Sequence, residues 1–199
     1  RKSLQAGKHT FIEKPMAFSV AECGKLIEIA EKKNLALMVG HTFIYSAPVR
    51  KIKEIVDSGD LGRIQYISSR RLNLGLFQKD INVAWDLAPH DISVFLYLLD
   101  KEPNRVRAYS SDFLRPGIID SASFSLRFNN ISAEAHVRWL DAEKIRKFTV
   151  IGDKKIAVFD DLSEEKLKIY NKRVDFSEKA KIIDEGIYIP EIENISPST

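Results

Sequence analysis

Lys8-His9-Thr10-Phe11-Ile12-Glu13-Lys14-Pro15 opens the stretch that decides the fold. Residues 8–13 read as a strand, and the proline stops it. Ser19 followed by Glu22 is the S-x-x-E pattern of a capping box. Leu26, Ile27, Ile29 and Ala30 then recur at helical spacing, so a helix is predicted to about Lys33, with Asn34 as its stop. Residues 35–39 are a continuous apolar run of the kind found in a buried parallel strand. Residues 8–40 therefore predict strand, helix, strand, which is half of a doubly wound sheet.

The pattern changes downstream. Pro48 suits a first helical turn. Val49, Ile52, Ile55 and Val56 give that helix one apolar face, and Ser58-Gly59 ends it. Residues 64–73 alternate as a strand does, and residues 86–99 read as an apolar helix with Asp86 as N-cap. After residue 103 the period becomes two. Ala122, Phe124, Leu126 and Phe128 share one strand face, Asn129-Asn130 is a two-residue turn, and Ala133, Ala135, Val137 and Trp139 share a face of the returning strand. Phe148 with Val150, Ile156 with Val158 and Leu167 with Ile169 continue the series. The expected fold is α/β: a parallel-sheet segment over residues 1–45, then a predominantly antiparallel sheet with helices on one face over residues 46–199. The opposite face of that sheet carries Ser121, Ser123, Ser125, Arg127, Ser132, Glu134, His136 and Arg138, and reads plainly as a solvated face.

Composition narrows the function classes. Among 199 residues, 31 Lys and Arg against 28 Asp and Glu leave a net charge of +3, too little for a nucleic-acid footprint. The single cysteine, Cys23, excludes an internal disulfide framework and a multi-cysteine zinc site. The longest apolar run, residues 94–99, is too short to span a bilayer. A cytoplasmic protein is expected, with neither nucleic acid nor membrane as partner. No two of the nine glycines are two residues apart, so a G-x-G-x-x-G fingerprint is absent, and no P-loop, H-E-x-x-H or G-x-S-x-G occurs. Asn130 and Asn194 fall in N-x-S sequons, a motif common by chance. The chain starts at Arg1 inside what reads as a helix end, and residues 190–199 are a polar tail. It is expected to be a piece of a longer polypeptide; frayed ends of a complete domain are the alternative.

Two stretches can carry chemistry. In the first, Pro15 bars Lys14 from the helical region, so the lysine is held at the end of a parallel strand, where open α/β sheets bind ligands. The Lys14–Pro15 bond is a candidate for the cis form. A surface lysine at a turn is the plain alternative. In the second, Trp85-Asp86-Leu87-Ala88-Pro89-His90-Asp91, Asp86 and His90 stand four apart on one helix face. A histidine oriented by a carboxylate suits a general base. An N-cap aspartate and a packed histidine are the plain alternative.

Together these stretches resemble the Gfo/Idh/MocA family of NAD(P)-dependent sugar and cyclitol oxidoreductases. The resemblance runs over nearly the whole chain, through Gly7-Lys8-His9, Glu13-Lys14-Pro15, Val39-Gly40-His41-Thr42-Phe43, Gly59-Asp60-Leu61-Gly62 and Asp86-x-x-x-His90. The wording of residues 85–91 is most similar to the UDP-N-acetylglucosamine and UDP-N-acetylglucosaminuronate 3-dehydrogenases. The resemblance implies a Rossmann domain of which only residues 1–45 are present, followed by a substrate domain. It also implies NAD or NADP, with NAD the expected one, and a sugar or nucleotide-sugar substrate. Lys14, His90 and Asp86 would be catalytic. Glu13, Lys14, Pro15 and His41 would meet the cofactor, and Phe43, Tyr45, Arg71 and Asn73 the substrate, with no metal. His41 could equally be a packed core histidine, Arg71 and Asn73 an exposed sheet-edge pair, and Tyr45 a packing residue. Asp80 and Asn82 would lie in a loop covering the pocket. Trp139 is read as core or as a sheet-to-sheet contact. A homo-oligomer, dimer or tetramer, through the antiparallel sheet is expected; a non-catalytic association module is the competing class.

Overall fold

The computed structural model describes residues 1–75, 77–78, 80–175, 177 and 180–192. The Asn194 sequon and most of the expected polar tail lie outside the described residues. The chain divides into two compact units at Thr42 and Phe43. Phe43 and Tyr45, placed from the sequence in the first segment, thus belong to the second.

The first unit begins with α1 (Lys2–Gln5), whose Leu4 is fully buried. Strand β1 (Thr10–Ile12) pairs in parallel with β2 (Leu37–Val39), Ile12 opposite Val39. Between them runs α2 (Val20–Lys32), and its N-cap is the predicted one: the Ser19 side chain accepts from the Glu22 N–H at 3.2 Å. Asn34 follows with φ 51°, the left-handed conformation that asparagine tolerates. The second strand is shorter and more open than its apolar run suggested. Phe11 and Met38, partners across the pair, are 59% and 42% exposed. A two-stranded sheet leaves a face uncovered that a central strand would bury.

The second unit is an eight-stranded sheet with two helices on one face. A 3-10 turn (Thr42–Tyr45) leads into α3 (Ala47–Asp57), which buries Val49, Ile52 and Ile55. Then come β3 (Ile64–Leu72), α4 (Val83–Leu99), β4 (Arg105–Ser111), β5 (Ser121–Phe128), β6 (Ile131–Arg138), β7 (Ile145–Gly152), β8 (Ile156–Asp160), β9 (Leu167–Asp175) and β10 (Lys181–Tyr188). The sheet order is β10-β9-β8-β7-β3-β6-β5-β4. Every pair is antiparallel except β3 with β6, which is parallel. Alternation works as predicted: Ala133, Ala135 and Val137 of β6 face inward with Phe148 and Val150 of β7 and Leu167 and Ile169 of β9. Val94, Phe95 and Leu98 of α4 close this core with the α3 residues.

Helix α4 corrects one expectation. It starts at Val83, not Asp86, and its N-cap is Asn82, whose Oδ1 accepts the Trp85 N–H at 3.1 Å. Val83 is fully buried in a second cluster with Ala88, Ala122, Val137 and Trp139, and that anchoring draws the helix start three residues upstream. Asn82, expected in a loop, caps the helix as well as an aspartate would. Asp86 is thereby left to bond elsewhere.

Gly152, at the end of β7, lies against the backbone of Leu61. A Cβ built there would fall on the Leu61 carbonyl. Gly152→Ala is expected to cost about 1–3 kcal/mol, as overpacking does, and a urea denaturation midpoint equal to wild type would show that the 59–62 turn yields freely.

Candidate active site

In the first unit, the carboxyl ends of β1 and β2 lie side by side, and the segments that follow them emerge there. Glu13, Lys14 and Pro15 follow β1; Gly40 and His41 follow β2. The Gly40 N–H donates to the Ile12 carbonyl at 2.8 Å, locking the two ends together. A Cβ at Gly40 would meet Glu13 Oε2 and Phe11 Cζ, each at 3.1 Å, so the missing side chain lets Glu13 lie across this edge. The Lys14–Pro15 peptide bond is cis. Burial holds the His41 imidazole below its ordinary pKa, and the Lys14 charge adds to the effect. His41 Nδ1 is buried with no hydrogen-bond partner among the described residues, which fits an edge that receives a polar ligand.

In the second unit, α4 presents Asp86 and His90 one turn apart. Trp139, buried at the end of β6, donates its Nε1–H to Asp86 Oδ2 at 3.3 Å. This gives Trp139 a polar task beyond the expected packing. Asn73, just past β3, donates its N–H to the Arg138 carbonyl. A Cβ at Gly75 would meet both Asn73 Nδ2 and Trp139 Cδ1, so Asn73 lies close to Trp139. The His90 and Phe43 rings meet edge to face, centroids 5.0 Å apart at 64°. The Arg71 guanidinium lies over the Phe43 ring, 4.3 Å from its centroid. Tyr45 stands apart, 48% exposed, with the Arg50 guanidinium 5.7 Å from its ring centroid. Asp80 is exposed.

Arg71 is not an exposed edge residue. Strand β3 is central, between β7 and β6, and Arg71 is 8% exposed. Its Nε and Nη2 donate to Asp91 Oδ2 and Oδ1 at 3.2 and 3.0 Å, a two-pronged pair. Asp91 was missed at the sequence level, although its position announced it. It falls on the stripe of Ala88, Val94, Phe95 and Leu98, where a carboxylate demands a buried cation. Among the described residues no group of three or more His, Cys, Asp or Glu is placed to hold a metal ion, and no helix is long and apolar enough to cross a membrane.

The open sheet face is where the register puts it. Ser121, Ser123, Ser125 and Arg127 stand opposite Arg138, His136, Glu134 and Ser132. His136 is held below its ordinary pKa of 6.5, first by burial and then by Arg138 and Arg70, with Asp141 opposing. An imidazole lowered in the folded state supports stability above that ordinary value and loses it as pH falls through the lowered one. His136→Gln is therefore expected to flatten the acid-side loss of stability, read as melting temperature against pH below 6.5. An unchanged acid limb would assign that loss to other groups.

The first unit is thus a strand–helix–strand edge with a lysine at a strand end, and the second a helix-covered sheet whose helix α4 carries Asp86 and His90. Residues 1–41 match the oxidoreductase family with NAD-binding Rossmann fold, and residues 49–158 match the GFO/IDH/MocA C-terminal domain. The chain belongs to the Gfo/Idh/MocA oxidoreductase family. It is similar to a 1-carboxy-3-chloro-3,4-dihydroxycyclohexa-1,5-diene dehydrogenase of Comamonas testosteroni, 30% identical over 54% of this chain and 30% of that one. It is also similar to the inositol 2-dehydrogenase of Salmonella typhimurium, 32% identical over 54% of this chain and 33% of that one. The solved structure of the UDP-N-acetylglucosamine 3-dehydrogenase of Acidithiobacillus ferrooxidans superposes with a TM-score of 0.73 at 27% identity, covering 92% of this chain and 58% of that one. The chain spans about a third of the length of these two curated relatives.

Proposed function

We propose that the full-length protein oxidises a secondary hydroxyl of a sugar, at C3 of a UDP-linked N-acetylated sugar or uronic acid, with NAD as cofactor. The observation that carries this reading is the Asp86–His90 turn of α4, with Asp86 fixed by Trp139. His90 takes the hydroxyl proton as general base. Asp86 orients that base and favours the imidazolium it becomes. The Lys14 ammonium stabilises the alkoxide as negative charge develops, an electrostatic role. The nicotinamide, when bound, accepts the hydride. Glu13, Lys14, Pro15 and His41 would hold its edge, and the partnerless His41 Nδ1 suits a ligand hydrogen bond. Phe43, Tyr45 and Asn73 are assigned to the substrate. Arg71 joins them only by its place beneath Phe43, since its donors are directed to Asp91.

The likeness to inositol 2-dehydrogenase favours a second reading, a free cyclitol or simple sugar as substrate. One assay separates the two. The full-length protein is given NAD or NADP with UDP-N-acetylglucosamine, its uronic acid, or myo-inositol, and nicotinamide reduction is followed by absorbance. Turnover with the nucleotide sugars alone supports the first reading; turnover with myo-inositol alone replaces it with the second.

The open sheet face is proposed to join copies of the chain into a dimer or tetramer in the cytoplasm. Tyr109, 71% exposed, borders a depression whose lining includes Tyr66, Arg70 and His136, where a second surface could seat. Light scattering of the full-length protein should give a dimer or tetramer; a monomer would refute the assembly.

A further inference from the structure

Arg71 and Asp91 are a buried ion pair that the proposed chemistry does not use, with side chains 9% and 5% exposed. Buried pairs are poor stabilisers, because desolvation offsets much of their attraction. Packing alone would be served as well by apolar residues in the same space. The surroundings of this pair suggest another task. The fork geometry of two parallel hydrogen bonds fixes the plane of the guanidinium. The guanidinium carbon lies over the Phe43 ring, 4.3 Å from its centroid, and the Phe43 and His90 ring centroids are 5.0 Å apart. Asp91, which anchors the fork, is the next residue to His90 in α4. The contacts thus close a circuit: imidazole, phenyl ring, guanidinium, carboxylate, and back through one peptide unit.

We propose that the Arg71–Asp91 pair, acting through Phe43, is a positioning device that holds the His90 imidazole in one orientation. Rotation about the bond joining a histidine ring to its Cβ is broad and weakly restrained. The edge-to-face contact restrains that torsion on one side. A phenyl ring could do so only if it were itself prevented from tilting. The cation laid on it supplies that restraint, and the fork to Asp91 ties the cation to the helix turn that carries His90. Arg71 and Asp91 are therefore positioning residues. This inference rests on the reading of His90 as general base, but its geometric half can be measured without turnover.

The test compares a set of variants. Arg71→Met with Asp91→Leu replaces the pair by apolar residues; Phe43→Leu removes the bridge and keeps the pair; His90→Gln assigns the His90 ring resonances. In ligand-free protein, the His90 ring protons should carry a ring-current shift from Phe43. That shift should be lost in Phe43→Leu and reduced in the double variant, although Phe43 is still present there. In the full-length protein, assayed with NAD and whichever of UDP-N-acetylglucosamine or myo-inositol is turned over, kcat should fall about 10- to 100-fold in both, as misplacement of a catalytic group does. KM should stay within about twofold in the Arg71→Met/Asp91→Leu variant, and adding Phe43→Leu to it should lower kcat little further, as for contacts that act as one unit. Phe43→Tyr, which keeps the ring, should lose less than Phe43→Leu. If the double variant does not fold, Phe43→Leu decides alone. An unshifted His90 resonance in a folded double variant, or wild-type kcat in Phe43→Leu, overturns the proposal. Failure of the general-base reading shows separately, as retained turnover in a folded His90→Ala.

Discussion

His90→Ala in the full-length protein is expected to lower turnover about 10²–10⁴-fold, the range general acid–base catalysis supplies, while the thermal melt changes little. The imidazole is partly exposed on the first half of α4, and its loss leaves the apolar stripe of that helix intact. Lys14→Met should produce a loss of similar order by another route. It removes the cation that balances the developing alkoxide while keeping most of the unbranched side chain. The two defects should differ in their dependence on pH. An added small base can replace an imidazole but not a fixed charge, so imidazole in the buffer should partly rescue His90→Ala and leave Lys14→Met unchanged. Wild-type turnover in both variants would remove the site assignment.

Arg71→Met alone is expected to be the most damaging single substitution for stability, at about 3–5 kcal/mol. It leaves the Asp91 carboxylate, 5% exposed, without the guanidinium it is buried against. The opposite change is milder on paper only, because Asp91→Leu strands the guanidinium in the same way. Made together, the two substitutions should recover most of the loss, since the compensated apolar pair carries no unpaired charge. Urea denaturation of the three variants measures this directly. A single-variant loss below about 1 kcal/mol, the range of exposed pairs, would mean that water reaches the carboxylate.

Much of this architecture was legible because burial imposes a period. The strands from β5 to β9 follow from alternation, and the α2 boundary follows from Ser19 and Glu22. What was illegible is instructive. The start of α4 moved from Asp86 to Val83 because one fully buried valine outweighs a well-placed cap. The exposure of Met38 could not be foreseen, because an apolar run looks the same whether neighbours cover it or not. Arg71 and Asp91 could have been found together. Arg71 continues the inward series of Ile67 and Ser69, and Asp91 interrupts an apolar helix stripe. Two opposite charges on facing inward positions can be buried only as a pair. The hydrogen bond from Trp139 to Asp86 had no such signal, since residues so distant in sequence are matched only by the closed fold.

The parallel pairing of β3 with β6 has a consequence for how the chain comes into being. Strand β3 is the first of its sheet to leave the ribosome, yet both of its eventual neighbours, β6 and β7, are translated after α4, β4 and β5. One edge waits for β6, complete at residue 138, and the other for β7, complete at residue 152. The runs β4 to β6 and β7 to β10 can pair in the order of synthesis, but the insertion of β3 between them is a late, long-range event of the kind that slows folding.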